Sequence, residues 1–181
     1  MRSVVQFFFA AAFVACVTSG QAETISGLDG RVKLDPPASW KSVPPKSRIV
    51  EYEYQAPGVD GADPARVTFM ASGGSLQDNV DRWVGQFNAG AKSKQEKLEV
   101  DNWEVHIVEI SGTYKETTGG PFSGGKVVER PDYTMFGAIL VDPKGPKFFI
   151  KMIGSQTTVE AQKDSLKKMV NGLKTEAEVK N

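Results

Sequence analysis

The sequence predicts an α+β domain, an antiparallel sheet of about six or seven strands with two helices packed on it. Three observations support this fold class. Short runs of alternating or continuous apolar residues lie between Gly-, Pro- and Asp-rich turns, as in strands joined into hairpins. Segments 75–87 and 157–173 repeat their apolar residues at helical spacing instead. One of these helices lies between strands and the other closes the fold.

The first 22 residues have the pattern of a secretory signal. Arg2 precedes an almost wholly apolar run, 4–17, which is shorter than the roughly 20 residues of a membrane span. Small residues at Gly20 and Ala22 predict cleavage after Ala22. We therefore expect an extracytoplasmic protein, periplasmic or secreted, with one domain over 23–173 and a frayed polar tail over 174–181.

The segment Phe13-Val14-Ala15-Cys16 offers an alternative end to the signal. It resembles a bacterial lipobox, in which the chain is cut before the cysteine and the cysteine is lipidated. Phe13 stands where leucine is usual. Lipidation at Cys16 would tether the protein to a membrane surface, so free and anchored forms both remain open.

Charge and cysteine content exclude several classes of partner. The chain has 22 basic and 22 acidic residues, and loss of Arg2 with the signal leaves this balance near neutral. A neutral chain is not typical of proteins that bind nucleic acid or adsorb to anionic lipid. Cys16 is the only cysteine, so the exported domain would fold without a disulfide. We expect a monomer with no membrane span.

Two hairpins and a capped helix are predicted in the first half of the chain. Residues 48–54 alternate and pair with 66–70. The side chains expected on the core face are Val50, Tyr52 and Tyr54, and those expected in solvent are Glu51 and Glu53. Ser75 is predicted to cap the helix over 75–87 together with Asp78, and Asp78 would pair with Arg82 on its exposed face. A further hairpin joins 96–100 to 103–111.

The last elements are a hairpin and a helix. The hairpin joins 133–141 to 147–153, and Gly137 within its nearly all-apolar first strand indicates close approach of another element. Thr157 or Thr158 is predicted to cap the terminal helix. The three tryptophans, Trp40, Trp83 and Trp103, are interpreted as core residues rather than as a carbohydrate-stacking surface.

The segment 112–132 is predicted to be a long, poorly ordered loop lying over one end of the sheet. It is rich in glycine, and loops of this length are commonly functional or disordered. Its Gly125-Lys126 pair is followed by Val127, which excludes a nucleotide-binding P-loop. The candidate partner-binding residues in this loop are Tyr114, Lys115, Phe122 and Lys126, with Phe122 as the apolar anchor.

No constellation of catalytic, metal-binding or cofactor-binding residues is evident. His106 is the only histidine and is interpreted as a strand residue bonded to a neighbour. We therefore expect a non-enzymatic binding or accessory module of the cell envelope, whose partner is an envelope protein or a small ligand. The alternative is a hydrolase that uses two carboxylates 5–10 Å apart. Its candidates are Glu51, Glu53, Glu104 and Glu109, for which solvated strand-face positions are the simpler interpretation.

The opening Val32-Lys33-Leu34-Asp35-Pro36-Pro37-Ala38-Ser39-Trp40 resembles the strand, proline turn and tryptophan that begin the PsbP-like superfamily. The order hairpin, helix, strands, hairpin and terminal helix is also similar over most of 30–173. The resemblance implies an antiparallel sheet flanked by helices and transfers no site residue.

Three further segments, 74–87, 110–115 and 133–139, resemble uncharacterised exported proteins of planctomycete-type bacteria. This likeness implies export and adds no mechanism.

Overall fold

The computed structural model describes residues 23–118 and 125–175, and all that follows concerns these ranges. The strands are β1 (Ile25–Gly27), β2 (Val32–Leu34), β3 (Lys41–Val43), β4 (Tyr52–Ala56), β5 (Ala65–Ser72), β6 (Lys92–Val100), β7 (Trp103–Thr118), β8 (Lys126–Val141) and β9 (Lys147–Ser155), and the helices are α1 (Leu76–Val84) and α2 (Gln156–Asn171). Seven strands form one antiparallel sheet in the order β3-β4-β5-β9-β8-β7-β6, and β1 pairs with β2. The predicted α+β fold class is confirmed.

The large sheet buries both of its faces. One face packs against α2 and the β1–β2 pair around Leu34, Phe136 and Phe148. The other face, which we call the α1 face, packs against α1 around Trp83, Ile139 and Phe149. Because β9 and residues 135–140 of β8 are covered on both sides, they are nearly continuous apolar runs.

The three tryptophans are buried, as predicted. Trp40, Trp83 and Trp103 expose only 4%, 2% and 5% of their surface. Trp40 donates its indole N–H to Oε1 of Gln162 on α2 at 2.9 Å, so the one polar atom of this buried ring has a partner. Trp83 packs over Gly137, which confirms the close approach that this glycine indicated.

The helix caps are confirmed in one case and corrected in the other. Ser75 caps α1, and its Oγ accepts from the backbone N–H of Asp78 at 3.0 Å. The cap of α2 is Ser155 rather than Thr157 or Thr158. Thr158 is buried and donates its hydroxyl to the carbonyl of Asp63 at 3.0 Å, so this threonine anchors a loop.

The prediction of a disordered loop over 112–132 is wrong for most of that segment. β7 continues to Thr118 and β8 begins at Lys126, and the two remain paired from Tyr114↔Arg130 to Thr118↔Lys126. A register shift follows Gly112, which has a φ of 155°. Glycine and proline mark bulges as well as loops, and here Gly112 and Pro131 lie at an irregularity inside one long hairpin.

The segment that follows α2 is held to the start of the fold. The backbone of Lys174, which the sequence assigned to the frayed tail, exchanges hydrogen bonds of 3.0 and 2.9 Å with Lys33 on β2. Its ammonium lies 2.6 Å from Asp35. In residues 23–118 and 125–175, neither helix is long and apolar enough to cross a bilayer.

Candidate functional site

The β7–β8 hairpin bends over the α1 face just beyond the bulge at Gly112. The segment after α1 pairs with its edge. The backbone N–H of Asn88 donates to Thr113 at 2.9 Å, and that of Lys115 donates to Gln86 at 2.8 Å. The ring of Phe87 lies 5.4 Å from that of Tyr114. These contacts fix the base of the hairpin against the end of the helix.

Tyr114 forms an aromatic layer at this base. Its ring stacks on Tyr133 with centroids 6.1 Å apart and planes 1° from parallel. The ammonium of Lys151 lies over the same Tyr114 ring, 5.7 Å from its centroid, within the range of a cation–π contact. Burial raises the pKa of Tyr114, so its phenol is neutral at physiological pH.

Lys151 is the only charged residue within the predominantly apolar strand β9 apart from its first residue, Lys147. In the sheet it lies between Thr68 on β5 and Gly137 on β8. Lys151 is half-buried, and its ammonium donates a hydrogen bond to Oε1 of Gln86. Among the described residues, no carboxylate lies within ion-pair distance of it.

Arg66 brings a second cation to the same face from β5. Its guanidinium forms two 2.8 Å hydrogen bonds with Glu53 on the neighbouring strand β4. Glu53 exposes only 2% of its side chain, so the prediction of a solvated Glu53 is wrong. The Arg66 guanidinium lowers the pKa of Glu53, and the same bonds raise that of Arg66.

Arg82 supplies a third cation from the last turn of α1. The predicted pair with Asp78 is not formed, because Arg82 donates to Oδ1 of Asn79 instead. Asn79 is buried under the helix start, where its amide donates to the carbonyls of Gly73 and Ser75. Its amide oxygen therefore orients Arg82 without neutralising it.

These groups act on Lys151 in the same direction. Burial, together with the smaller effect of the positive charges of Arg66 and Arg82, lowers the pKa of Lys151 to about 8. We call Arg66, Arg82 and Lys151 the cation cluster. Such an arrangement can hold an anion, or can present an amine that is partly neutral near physiological pH.

The predicted partner-binding residues do not form one site. Tyr114 contacts the cation cluster, whereas Lys115 is the next residue along the strand and points to the opposite face. Lys126 is exposed at the far end of the hairpin. It lies four residues along β8 from Arg130, the residue that pairs with Tyr114, so its backbone is about 13 Å from that position. Phe122 and Cys16 lie outside the described residues.

The cation cluster was missed because its members are remote in sequence. One signal was available, a lysine inside Phe148-Phe149-Ile150-Lys151-Met152-Ile153, where a charge in a buried strand needs a reason. Its positive neighbours on β5 and α1 could not be identified without the strand order.

The two pairs of glutamates in the hydrolase alternative do not meet each other. Glu51 and Glu53 flank or lie on β4, whereas Glu104 and Glu109 lie on β7. Strands β5, β9 and β8 separate them, which at about 4.8 Å per strand is about 19 Å. A carboxylate pair requires 5–10 Å.

Glu51 and one further carboxylate, Asp29, line a depression of about 670 Å³. Both residues are exposed, and Glu51 already accepts from the backbone of Ala71 at 2.7 Å. The depression therefore lacks the apolar enclosure that keeps one acid of such a pair protonated.

His106 is bonded to its neighbour Glu104, as predicted, and Lys97 of β6 contacts the same carboxylate. Within the described residues, no three His, Cys, Asp or Glu side chains come together as metal ligands.

The fold has counterparts among solved structures. The solution structure of cyanobacterial PsbP (CyanoP) from Synechocystis sp. PCC 6803 is similar with a TM-score of 0.54 and 11% identity, over 90% of this chain and 98% of that one. The crystal structure of LpqN, involved in cell envelope biogenesis of Mycobacterium tuberculosis, gives a TM-score of 0.48 and 14% identity, over 81% and 86%. That second similarity is too low to carry an argument.

No family model and no curated protein matches the sequence. The likeness to planctomycete-type proteins thus stays a prediction. At 11% identity the likeness to CyanoP concerns the fold alone, and the fold of this chain is PsbP-like, as the opening strand and the order of elements predicted.

Proposed function

We propose that this protein is exported and serves in the cell envelope as a non-enzymatic binding or accessory module. Export rests on the signal pattern of residues 1–22, with release after Ala22 or lipid anchoring at Cys16 as the two routes. The binding role rests on the shape and surface of the β7–β8 hairpin.

The single observation that carries the binding role is the projection of this hairpin beyond the sheet. β6 stops pairing with β7 at Ser111, and β9 stops pairing with β8 at Tyr133. From Tyr114 to Thr118 the two hairpin strands pair with each other and with no further strand of the sheet. The one backbone hydrogen bond from this stretch to another described segment joins Lys115 to Gln86. Tyr114 packs on the core, but none of the described hairpin residues beyond it, 115–118 and 125–130, is buried, so that part of the hairpin is available to a partner.

The far end of the hairpin exposes an apolar side chain. Val127 is 54% exposed, and in the described part of the chain only Ile49, at 71%, is a more exposed large hydrophobic residue. Lys126 adds a charge beside Val127. An apolar contact with a polar rim is the usual composition of a protein interface.

The test is crosslinked capture from an envelope extract with the protein produced from the full chain. Val127→Asp should reduce capture of a specific partner several-fold, whereas Ile49→Asp, the same change at the other exposed hydrophobic position, should not. Equal capture by both variants would overturn the hairpin as the binding element. Measured turnover of a substrate by the purified protein would overturn the non-enzymatic role.

A further inference from the structure

The cation cluster carries an excess of positive charge that the fold does not neutralise. Arg66 forms an ion pair with Glu53. The polar partner of Lys151 is the neutral amide of Gln86, and that of Arg82 is the neutral amide of Asn79. Three cations against one carboxylate leave a net charge of two. The nearby Glu116 is paired with Arg130 at 2.8 Å and adds no free negative charge.

The surroundings of Lys151 strengthen this field. Trp83 fills the space over Gly137, the neighbour of Lys151 on β8, and the Lys151 ammonium lies over the ring of Tyr114, which stacks on Tyr133. These rings shield the half-buried Lys151 in part from solvent, so a charge on its ammonium interacts more strongly than it would in bulk solvent.

Arg66 pairs with Ile153, two residues along β9 from Lys151, and so lies diagonally across from Lys151 on the same face of the sheet. Gln86, which accepts from the Lys151 ammonium, follows Arg82 by four residues, and the positive charges of Arg66 and Arg82 both act on Lys151.

We propose that the cation cluster on the α1 face binds a doubly charged phosphate group, held between Lys151, Arg82 and Arg66. A dianion matches the net charge of the cluster, and guanidinium and ammonium donors are the groups that proteins use for phosphate. A carboxylate would neutralise only half of the excess. The inference deepens the proposed binding function by naming the chemistry of one ligand.

Phosphate of this kind has two sources outside the cytoplasm. It can belong to a small soluble phosphate monoester or to the headgroup of a lipid. The near-neutral charge of the whole chain argues against general adsorption to anionic membranes, but a local cluster can still bind a single headgroup.

The first experiment is calorimetric titration of the protein produced from the full chain with inorganic phosphate and with sulfate. Saturable binding is expected, and Lys151→Met and Arg82→Gln should each weaken it about tenfold or more, the loss of one charge-assisted contact. The control Lys168→Gln removes one charge from α2, on the opposite side of the sheet, and should leave affinity unchanged. Circular dichroism confirms the fold of each variant.

Two further measurements separate an anion site from a structural effect. Glu53→Gln frees Arg66 and should tighten phosphate binding, which loss of structure would not do. Sulfate keeps its charge with pH, so its affinity should fall between about pH 7 and about pH 9.5 as Lys151 loses its proton, and Lys151→Met should abolish this dependence.

Flotation with phosphatidylcholine vesicles that contain or lack phosphatidic acid decides whether the bound phosphate belongs to a lipid headgroup or to a soluble molecule. Binding that requires phosphatidic acid and is lost in Arg82→Gln would identify a lipid headgroup. No vesicle binding, with phosphate binding intact, would identify a soluble phosphate. Absence of saturable phosphate binding, or equal binding by all variants, would overturn the inference. Because hairpin-dependent capture is measured separately, that result would leave the proposed function standing.

Discussion

The ammonium of Lys151 on β9 lies 5.7 Å from the ring centre of Tyr114 on β7, although β8 runs between their two strands. The contact exists because β7 bends after the bulge at Gly112 and turns Tyr114 toward the α1 face. It places a charged side chain under an aromatic cover and beside two guanidinium groups.

Lys151→Met should remove a pH-dependent component of stability. The folded pKa of Lys151, about 8, is below its ordinary 10.5, so between these values the unfolded chain binds more protons and stability rises with pH. Linkage sets the rise at about 3 kcal/mol for a shift of this size. Urea unfolding from about pH 7 to about pH 10.5 should show the rise in the natural protein and not in the variant. Lys168→Met is the matched control, and an identical profile in Lys151→Met would contradict the assignment.

Glu53→Gln should destabilise the protein at neutral pH. The change leaves the Arg66 guanidinium without its carboxylate, which we expect to cost about 1–3 kcal/mol in this partly exposed pair. The folded pKa of Glu53 is lowered by Arg66, so its contribution is present above the unfolded pKa and is lost as the pH falls. Thermal unfolding should therefore show the largest difference between natural protein and variant at neutral pH. A difference that does not shrink in acid would rule out the ion pair as its cause.

Gly137→Ala should destabilise the α1 face by about 1–3 kcal/mol through overpacking. A Cβ at this position would lie 2.8 Å from the carbonyl oxygen of Ile150 and 3.0 Å from the Trp83 ring. The backbone contact cannot relax without moving β9. Gly73→Ala is the control, because its Cβ would have no neighbour within 4 Å. Chemical denaturation of both variants decides the matter, and equal midpoints would show that Trp83 yields freely.

Gln162→Leu should cost about 1–3 kcal/mol, since it leaves the buried indole N–H of Trp40 unpaired. The same amide also donates to the carbonyl of Pro57 at 3.0 Å, so two loops lose their tie to α2. A double-mutant cycle with Trp40→Phe isolates the shared bond. We expect the second change to cost less once the first has been made, and strict additivity would show that the bond contributes nothing.

Local features of the sequence determined the elements that depend on neighbouring residues. The cap at Ser75 and the apolar stripe of α1 depend on residues a few positions apart, and so they could be read directly. The hairpin turn at Asp101-Asn102 has positive φ at both residues, which these types tolerate. The close approach at Gly137 was also predictable, because a glycine within an apolar strand is itself a local signal. The burial of the three tryptophans could be predicted because it depends on size and hydrophobicity.

Only the tertiary structure decided the site. Arg66, Arg82 and Lys151 are far apart in the chain and meet because β5 pairs with β9 and α1 crosses that region. Glu53 was predicted to be solvated because alternation shows which residues share a face but not that Arg66 on the next strand will cover the carboxylate. The glycines of 112–132 indicated a loop because local propensity cannot show which distant segments pair as a ladder. That ladder makes Gly112 part of a bulge within a long hairpin.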